Sequence, residues 1–401
     1  MHTLTGKTVV LGVCGGIAAY KAVELLRMLT RAGAEVHVIM TRAATEFVTP
    51  LTFQSLSHNP VHLELFNLIQ EQEIGHISLA DRADLFLIVP ATANIIGKIA
   101  HGIADDLLST TVMATTAPVL LAPAMNVNMY RNSLYQQNEA VLRQHGYHLV
   151  DAEHGSLACG WEGSGRLASP ERIFEEACRL LAPKDLVGQT VLVTAGPTRE
   201  ELDPVRYITN HSSGLMGYAL ARAALHRGAR VILVSGPTCL TPPCGVELVR
   251  VVSALQMHEA VMAWAGECSL VIKAAAVADY RPAQRSGTKL KKKDDELTIR
   301  LEKNPDILAE LGQLPRRPFL VGFAAETSDL QAHAAAKLAA KNLDLLVAND
   351  VTQPGAGFNV TTNIVRLLYR DGTVEPLELM QKDQLADLIL DRIRGLLAAT
   401  K

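Results

Sequence analysis

The sequence of 401 residues is poor in aromatic side chains and carries almost no net charge. Phenylalanine, tyrosine and tryptophan make up 4% of it, and 38 Lys and Arg residues stand against 41 Asp and Glu residues, a net charge of −3. No block of five or more like charges occurs. We therefore do not expect a surface that binds duplex nucleic acid, because the phosphate backbone is bound by an excess of positive charge.

Disulfide and secretion patterns are also missing. The six cysteines form no Cys-x-x-Cys pair, and the sequence passes almost at once from Met1 into a strand pattern without a secretory leader. We expect reduced thiols and a cytoplasmic location. The cysteines are Cys14, Cys159, Cys178, Cys239, Cys244 and Cys268.

One long stretch, residues 107–130, has no charged side chain. A membrane span needs about 20 apolar residues, but this stretch contains several hydroxyl side chains, two asparagines, Pro118 and Pro123. We expect a buried helix followed by a strand, and no membrane contact.

Apolar residues are abundant, at 48% of the sequence, and they alternate between strand and helix patterns. A strand at 7–13, a helix at 17–31 and a strand at 35–40 form a βαβ unit. The remaining expected elements are strands at 85–89, 119–122 and 147–150, then a restart with strands at 190–194, 230–235, 270–273, 319–323 and 343–348 and a helix at 217–227. The predicted fold class is α/β, with two Rossmann-like domains in tandem that each contain a parallel sheet.

The two halves are expected to be domains of residues 1–189 and 190–401. Residues 151–169 are rich in glycine and have no periodicity, which predicts a mobile loop. A helix is expected to begin at Pro170 and to end near Leu181, and residues 182–189 are the expected linker.

A glycine-rich turn, Gly12-Val-Cys-Gly15-Gly16, follows the first strand. It lacks the Gly-x-Gly-x-x-Gly spacing of dinucleotide-binding proteins, and the second strand ends at Thr41-Arg42 where those proteins carry an acidic residue. An NAD-dependent dehydrogenase is therefore disfavoured. The helix that begins at Gly16 suits a single phosphate monoester such as that of FMN. The alternative is a tight turn that binds no ligand.

Polar residues follow two further strands of the first half. Thr92 and Asn94 come after one strand, and Met125 and Asn126 after the next. All four would lie at the carboxyl edge of the sheet, where open α/β sheets bind ligands. The amide of Asn126 could hold a carboxylate, or it could simply cap the following helix.

His76 and Cys159 are candidates for proton transfer. His76 lies at the head of a short helix, and an imidazole with an ordinary pKa suits a general base, although a surface or capping role is the alternative. Cys159 lies between Ala158 and Gly160 in the glycine-rich segment, which suits a movable proton donor or a redox thiol. An incidental cysteine is the other interpretation.

In the second half, Arg206 and Asn210 lie in a loop whose guanidinium, amide and hydroxyl groups suit a phosphate. Asp279 follows a stretch of small residues that ends a strand, where its carboxylate could hold Mg²⁺. Lys289 begins a run of lysines that three acidic residues follow. This cluster is either a solvated hairpin tip or a lid over a nucleotide triphosphate.

Taken together, these motifs resemble, over essentially the whole chain, the bacterial bifunctional enzymes of coenzyme A biosynthesis in which phosphopantothenoylcysteine decarboxylase is fused to phosphopantothenate–cysteine ligase. The family's substrate motif usually ends in Trp, whereas this sequence has Tyr130. The segments that carry the resemblance are Gly12–Lys21, Gly75–Ile77, Pro90–Leu108, Pro123–Tyr130, Ala158–Gly160, Thr194–Gly217, Ala274–Tyr280 and Lys289–Lys292.

For the carboxy-terminal domain, the resemblance implies activation of 4′-phosphopantothenate by CTP to an acyl cytidylate, which the amine of L-cysteine attacks. It implies that Asp279 binds CTP and Mg²⁺ and that Lys289 binds the triphosphate. It also implies that Asn210 and Arg206 bind the phosphopantothenate or its activated form. Further CTP-binding residues implied by the resemblance are Lys273, Pro305, Asp306, Ile307, Leu308, Phe323, Lys337 and Lys341.

For the amino-terminal domain, the resemblance implies a flavodoxin-like, homo-oligomeric decarboxylase in which FMN accepts a hydride from the cysteine side chain and returns it after carbon dioxide has left. His76 is the implied base, Cys159 the implied acid and Asn126 the ligand of the substrate carboxylate, next to Met125. The implied FMN-binding residues are Gly15, Gly16, Ile17, Thr41, Phe47, Thr92 and Asn94.

The resemblance also implies self-association, with trimeric contacts between decarboxylase domains and dimeric contacts between ligase domains in a dodecamer. The rival interpretation is a non-catalytic flavin-binding regulatory protein. Such a protein does not need His76, Cys159 and the lysine cluster together, and this sequence contains all of them.

Overall fold

The computed structural model describes residues 4–65, 75–156, 158, 160–290, 297–326, 336–350, 355, 357 and 360–399. The chain divides into two compact units, Met1–Ala182 and Pro183–Lys401. Each unit has a mainly parallel sheet with helices, so the predicted class of two tandem α/β domains is confirmed. The division lies a few residues before the expected boundary at 189, because Leu186 packs into the core of the second unit.

The first unit contains a six-stranded parallel sheet in the order β3-β2-β1-β4-β5-β6. Without the two-residue strand β3, the order of the other five is that of flavodoxin-like folds. The strands are β1 (Thr8–Val13), β2 (Glu35–Met40), β3 (Val61–His62), β4 (Leu85–Ala91), β5 (Val119–Pro123) and β6 (His148–Leu149). The helices are α1 (Ala19–Arg31), α2 (Pro50–Ser57), α3 (Gly75–Arg82), α4 (Ala93–Ala100), α5 (Leu107–Ala114), α6 (Val127–Arg131), α7 (Ser133–Gln144) and α8 (Pro170–Leu181), with a 3-10 turn at Arg42–Glu46.

Helix α1 shows how the sequence pattern places the core. Its buried residues Ala19, Ala22, Leu25, Leu26 and Leu29 recur every three or four positions, so they share one face of the helix. That face packs in the same core cluster as the buried side chains of β1, β2 and β4. Burial of each large aliphatic side chain stabilises the fold by about 1.5–3 kcal/mol.

The charge-free stretch 107–130 has the predicted form of a helix followed by a strand. Every residue of α5 except Met113 is buried or half-buried, and every residue of β5 is buried. No described helix is both long enough and apolar enough to cross a bilayer.

The prediction of a mobile loop at 151–169 is wrong for two parts of that segment, Glu153–Ser156 and Glu162–Arg166. Strands β7 (Glu153–Ser156) and β8 (Glu162–Arg166) pair in an antiparallel hairpin. The Met125 amide donates to the Gly165 carbonyl at 2.9 Å, and a Cβ at Gly163 would lie 2.6 Å from a Val127 methyl group. The glycines therefore allow β8 to pack closely against the start of α6. Their abundance, from which a mobile loop was predicted, reflects this close packing.

The second unit contains an eight-stranded sheet in the order β13-β12-β9-β14-β17-β18-β19-β20. Its strands from β13 to β18 are parallel, and β19 and β20 add an antiparallel edge that the sequence patterns did not predict. The sheet strands are β9 (Thr190–Ala195), β12 (Arg230–Ser235), β13 (Glu247–Arg250), β14 (Leu270–Lys273), β17 (Phe319–Glu326), β18 (Leu345–Asp350), β19 (Thr362–Tyr369) and β20 (Val374–Gln381). Two short hairpins pair β10 (Arg199–Glu201) with β11 (Tyr207–Thr209) and β15 (Tyr280–Pro282) with β16 (Leu301–Lys303). The helices are α9 (Leu215–His226), α10 (Ala254–Ala265), α11 (Ile307–Gly312) and α12 (Lys382–Ala399), and residues 336–340 are also helical.

A buried arginine joins three parts of the second unit. Arg227, 2% exposed, follows α9 and donates to both carboxylate oxygens of Asp185 at 2.8 and 2.7 Å. Its guanidinium also lies 2.9 Å from a carboxylate oxygen of Asp391 and donates to the Asp387 carbonyl at 3.2 Å, both on α12. Arg227 therefore holds α9, α12 and the segment before β9 together at the amino-terminal edge of the sheet.

We expect Arg227→Met to lower the free energy of unfolding of the second unit by about 3 kcal/mol, because Asp185 loses its buried partner. The measurement is denaturant unfolding, with the transition of the second unit followed separately. The matched control is Arg394→Met. Arg394 pairs with the same Asp185 carboxylate but its side chain is 55% exposed, so this change should cost less than about 1 kcal/mol. Equal losses in the two variants would contradict the assignment.

Candidate functional sites

Four neighbouring strands of the first sheet end at one cavity of about 1100 Å³. Residues that follow β1, β2, β4 and β5 line this cavity, because the carboxyl ends of parallel strands meet at the same edge. β1 lies between β2 and β4, so the cavity begins where the strand order changes direction, which is the usual ligand position in such sheets. Eight predicted site residues line it: Gly15, Gly16, Ile17, Thr41, Thr92, Asn94, Met125 and Asn126.

The amino-terminal end of α1 lies at this cavity. No side chain caps α1 at Ala18, and its first turn carries no acidic residue. A Cβ at Gly15 would collide with Ala43, whereas nothing described lies within 4 Å of a Cβ built at Gly16. The turn therefore packs tightly on one side and leaves its backbone accessible on the other. Backbone N–H groups at a helix N-terminus, together with the helix dipole, suit a phosphate monoester.

The predicted polar residues of the cavity also have structural roles. Thr41 Oγ accepts the Ala44 amide at 3.3 Å, and Thr92 Oγ caps α4 by accepting the Ile95 amide at 3.5 Å. Asn126 Oδ1 caps α6 by accepting from the Asn128 amide at 2.8 Å. The capping role that the sequence left open for Asn126 is therefore real. In a cap of this kind the oxygen accepts, so the hydroxyl or amide hydrogen atoms are the groups that these residues can donate.

Charged residues that the sequence patterns did not single out also line the cavity. Lys21 lies on α1, Arg42 follows β2, and Arg166 ends β8. These three cations come from segments far apart in sequence, so the cavity wall carries positive charge that suits an anionic ligand.

Asp106 is the acidic group of the cavity wall, and Lys98 donates to it at 2.8 Å. Burial disfavours the charged form of Asp106, but hydrogen bonds from Lys98 and the Ser109 amide outweigh burial and hold its pKa below the usual range. The carboxylate is therefore charged at neutral pH and already engaged with its own partners.

Two predicted residues of the first unit lie outside the cavity wall, and a third falls outside the described residues. His76 is on α3, outside the cavity wall, and its Nδ1 is buried without a hydrogen-bond partner among the described residues. Phe47 follows the 3-10 turn with 51% of its surface exposed, and it does not line the cavity either. Cys159 lies outside the described residues, although Ser156 and Ala158 before it line the cavity.

The second unit brings cationic residues together at the carboxyl edge of its sheet. Lys273 ends β14, and its pKa is affected by the charges of Lys341, Asp306, Lys337 and Asp279. Burial is the main cause, and with the neighbouring lysines it lowers the pKa of Lys273 to about 8. Lys341 lies 2.9 Å from a carboxylate oxygen of Asp306. Burial makes the charged form of this ammonium group costly, and a bound anion would stabilise that charged form.

The other predicted residues around Asp306 differ in what they can offer a ligand. Asp306 caps α11 by accepting the Ala309 amide at 3.2 Å, and the Ile307 and Leu308 side chains are buried in the core. These two residues can contact a ligand only through their backbone. Pro305 precedes Asp306, and Phe323 is a half-buried residue of β17.

Hydrogen bonds position the loops that hold Asn210 and Asp279. The Asn210 amide donates to the Val277 carbonyl at 3.1 Å, although the two residues are far apart in sequence. The buried Asn304 donates its side-chain amide to the Ala278 carbonyl at 2.8 Å and its backbone amide to the Asp279 carbonyl at 2.9 Å. Asn210 and Asn304 therefore both hold the backbone of the loop that carries the Asp279 side chain.

The loop of Arg206 is joined to the base of the lysine cluster. Arg206 and Lys289 are both exposed. The buried carboxylate of Asp203 accepts the amides of Arg206 and Leu290 at 2.8 and 3.1 Å. Asp203 was not among the predicted site residues, although an aspartate that opens an Asp-Pro turn is a recognisable signal.

Among the described residues, no group of three or more His, Cys, Asp or Glu side chains could hold a metal ion. An ion that Asp279 shares with a bound substrate is compatible with this finding. Mg²⁺ is commonly held in this way, by one or two carboxylates and the phosphates of a nucleotide.

Two families match the chain, one for each unit. The family described as "Flavoprotein" matches residues 1–182. The family described as "DNA/pantothenate metabolism flavoprotein C-terminal domain" matches residues 186–397. The first unit is therefore a flavoprotein unit, which agrees with its cavity and with the uncapped start of α1 at that cavity.

Relatives match over the full length. Proteins named "Coenzyme A biosynthesis bifunctional protein CoaBC" from Vibrio parahaemolyticus and Bacillus subtilis are each 50% identical to this chain, over 99% and 98% of it and over 100% and 98% of their own length. The protein of the same name from Escherichia coli is 49% identical over 98% of this chain and 97% of its own.

Solved structures resemble the individual units. The C-terminal domain of a CoaBC protein is 44% identical and covers 54% of this chain and 99% of its own, with a TM-score of 0.47. A mutant PPC decarboxylase complexed with pantothenoylaminoethenethiol is 31% identical and covers 43% of this chain and 96% of its own, with a TM-score of 0.39.

We expect Gly15→Ala to destabilise the flavin-free first unit by about 1–3 kcal/mol and to lower its flavin content, because the added methyl group overlaps Ala43. Thermal unfolding of flavin-free protein and the flavin absorbance of purified protein measure the two effects. Gly16→Ala is the matched control. Its methyl group meets nothing within 4 Å, so the flavin-free protein should keep its melting temperature. Unchanged stability in both variants would show that the turn is not tightly packed.

Proposed function

The chain belongs to the family of coenzyme A biosynthesis bifunctional proteins, and we propose that its second unit joins L-cysteine to 4′-phosphopantothenate at the expense of CTP while its first unit decarboxylates the product with FMN. The ligase and decarboxylase activities follow from full-length similarity to proteins of that name. The observation that best supports the chemistry is the cavity in the first unit, where an uncapped helix N-terminus meets residues from four strand ends.

The ligase step requires activation because a free carboxylate resists attack by an amine. The carboxylate of 4′-phosphopantothenate attacks the α-phosphorus of CTP, pyrophosphate leaves, and an acyl cytidylate forms. The amine of cysteine then forms the amide bond, loses its proton, and CMP leaves. Nucleophile and leaving group both carry negative charge, so cationic side chains that neutralise it lower the barrier.

We assign the residues of the second unit to these charges. The charges of Lys337 and Lys341 lower the pKa of Lys273, which indicates that the three side chains are neighbours. These three lysines bind the phosphates of CTP. Lys289 binds the triphosphate from the neighbouring loop. Pro305, Asp306, Ile307, Leu308 and Phe323 form the remaining contacts with the nucleotide.

Asp279 is the proposed Mg²⁺ ligand. Its exposed carboxylate follows the Ala278 carbonyl, which Asn304 holds in place. Arg206 and Asn210 bind the phosphopantothenate or its acyl cytidylate, and the Asn210 amide is already oriented by the Val277 carbonyl. The Asp279 carboxylate suits a metal that arrives with the nucleotide, because Mg²⁺ is commonly held by one or two carboxylates together with phosphate oxygens.

FMN fits the cavity of the first unit. Gly15, Gly16 and Ile17 hold its phosphate at the uncapped start of α1, and Thr41, Thr92 and Asn94 are further proposed contacts in the cavity. Phe47, which lies outside the cavity wall, is the remaining proposed contact. When bound, FMN supplies a reversible hydride acceptor, without which the carboxylate beside an unactivated carbon has no electron sink.

The remaining residues of the first unit handle the substrate and its protons. Asn126 and Met125 hold the substrate carboxylate, with the Asn126 amide oriented by its cap on α6. His76 accepts a proton, and its buried Nδ1, unpartnered among the described residues, is available for such an exchange. Cys159 donates the proton that replaces carbon dioxide.

We propose that the protein forms homo-oligomers, with trimeric contacts in the first unit and dimeric contacts in the second, as a dodecamer. Large apolar side chains on the first unit support an interface, since Ile17, Leu51 and Leu134 are 61%, 68% and 67% exposed. Nucleic acid is not a proposed partner. The cytoplasmic location remains a prediction from the cysteine pattern.

Mass spectrometry of the products tests the function. Flavin-loaded protein is given 4′-phosphopantothenate, cysteine and Mg²⁺ with CTP or, in parallel, with ATP. We expect 4′-phosphopantetheine with CTP. Cys159→Ser should still form the ligated product but should stop at an oxidised intermediate of the decarboxylation. Accumulation of 4′-phosphopantothenoylcysteine in the parent protein would contradict the decarboxylase assignment, and no product at all would favour a flavin-binding regulator.

Lys273 predicts the pH dependence of CTP binding. Its lowered pKa, about 8, means that the ammonium loses its proton as pH rises through 8, well below the usual range for lysine. We expect kcat/KM for CTP to fall between pH 7 and 9, since this parameter reports the free enzyme. Lys273→Arg keeps its charge throughout, so that variant should lose this pH dependence. A decline of equal size in the variant would assign the titration to another group.

A further inference from the structure

Asp203 has a fully buried carboxylate that receives hydrogen bonds from two separate segments. One oxygen accepts the amides of Val205 and Arg206 at 2.7 and 2.8 Å. The other oxygen accepts the Leu290 amide at 3.1 Å and lies 3.7 Å from the Arg206 guanidinium. The Asp203 side chain has no exposed surface. Asp203 therefore both closes its own turn and holds a residue 87 positions away.

Two further contacts strengthen the link between these segments. The Ser286 amide donates to the Leu202 carbonyl at 2.9 Å, and Arg285 lies 2.6 Å from the Glu201 carboxylate. Residues 285–290 are thus attached to residues 201–206 at three positions, of which the Asp203 contact is the one made by a buried charged group.

The Leu290 amide that Asp203 accepts is adjacent to Lys289 along the backbone. It belongs to the peptide group that joins Lys289 to Leu290, so the hydrogen bond fixes that peptide plane. Lys289 itself is exposed, and a free lysine side chain has about 2 kcal/mol of rotamer entropy to lose on binding. A fixed backbone limits the positions that the ammonium group can reach. The same carboxylate fixes the backbone of Arg206, the second cation of the proposed site.

The carboxylate remains charged at neutral pH. Burial alone would raise the pKa of Asp203, but the three backbone amides and the Arg206 charge outweigh burial and lower it. Hydrogen bonds to an ionised acceptor are stronger than those between neutral groups. An asparagine of the same shape would lose this advantage and would bring an NH₂ group that cannot accept.

We propose that Asp203 is a positioning residue for the ligase reaction, which acts by holding the Lys289–Leu290 peptide beside the Arg206 turn so that both cations meet the anionic substrates together. This proposal rests on the ligase role assigned above to Lys289 and Arg206. In this proposal Asp203 acts without contacting a substrate, through the positions of both Lys289 and Arg206.

The test is a double-mutant cycle of Asp203→Asn and Lys289→Ala, with kcat and KM for CTP measured from pyrophosphate release. We expect Asp203→Asn to lower kcat/KM by about 10-fold or more, since hydrogen bonds to a charged group are lost. In the Lys289→Ala background, Asp203→Asn should lower kcat/KM by a smaller factor, and the loss that remains is the part that passes through Arg206. A merely structural residue would lower kcat/KM by the same factor in both backgrounds.

Leu290 supplies a second test that leaves the carboxylate intact. Leu290→Pro removes the amide that donates to Asp203, whereas Leu290→Ala removes only the side chain. We expect the proline variant to lower kcat/KM and the alanine variant to retain it. This pair decides the question even if Asp203→Asn does not fold. Asp185→Asn is the stability control, because it weakens the buried Arg227 pair at the opposite edge of the sheet and should lower the melting temperature without changing KM for CTP.

Each outcome has a distinct meaning. Normal ligation by Lys289→Ala would refute the proposed role of Lys289 and, with it, the positioning role of Asp203. Impaired ligation by Lys289→Ala with fully multiplicative effects in the double mutant would refute the positioning role alone. Equal kcat/KM in Leu290→Pro and Leu290→Ala would also refute it. A smaller Asp203→Asn effect in the Lys289→Ala background would support it.

Discussion

Close packing at a glycine near the start of the first long helix is the constraint on which each unit depends. In the first unit, a side chain at Gly15 would overlap Ala43. In the second unit, a Cβ at Gly217 would lie 2.6 Å from the Ala195 side chain and 2.9 Å from the Thr194 carbonyl oxygen. The helix that follows can therefore approach the sheet closely, which sets its amino-terminal end at the carboxyl edge. The proposed anion sites lie at these edges because donors and helix dipoles point there.

Charged groups at structural positions are ion-paired, whereas those at the proposed ligand sites are less fully compensated. Arg227 is buried with several acceptors at the amino-terminal edge of the sheet, where it stabilises the fold. At the carboxyl edges the cations are less fully compensated. Lys21, Arg42 and Arg166 line the cavity and form no ion pair with another described residue, and Lys273 lies near two further lysines. Positive charge that the fold does not neutralise is available for phosphates and carboxylates of a ligand.

Local patterns predicted the parallel part of both sheets except the short edge strands β3 and β13, because buried parallel strands appear as continuous apolar runs. Strands β1, β2, β12 and β14 begin and end within a residue of their predicted limits. The hairpin of β7 and β8 was missed, because its glycines are required by contacts with Val127 and Met125 that no local pattern contains. The antiparallel edge β19 and β20 was also not predicted. Among the candidate site residues, Gly15, Thr92 and Asn126 could be identified from the sequence, since each follows a strand and parallel strands end at one edge.

The sequence by itself determined the α/β class, the tandem arrangement, the family and the strand ends at which ligands are expected, because these follow from periodicity and from short motifs of adjacent residues. Only the tertiary structure decided which side chains share a cavity, which polar groups are already engaged as caps, and which carboxylate joins Arg206 to Leu290. The roles of Arg166 and Asp203 are of this second kind. These features are set by distances between segments far apart along the chain, and such distances exist only once the core has packed.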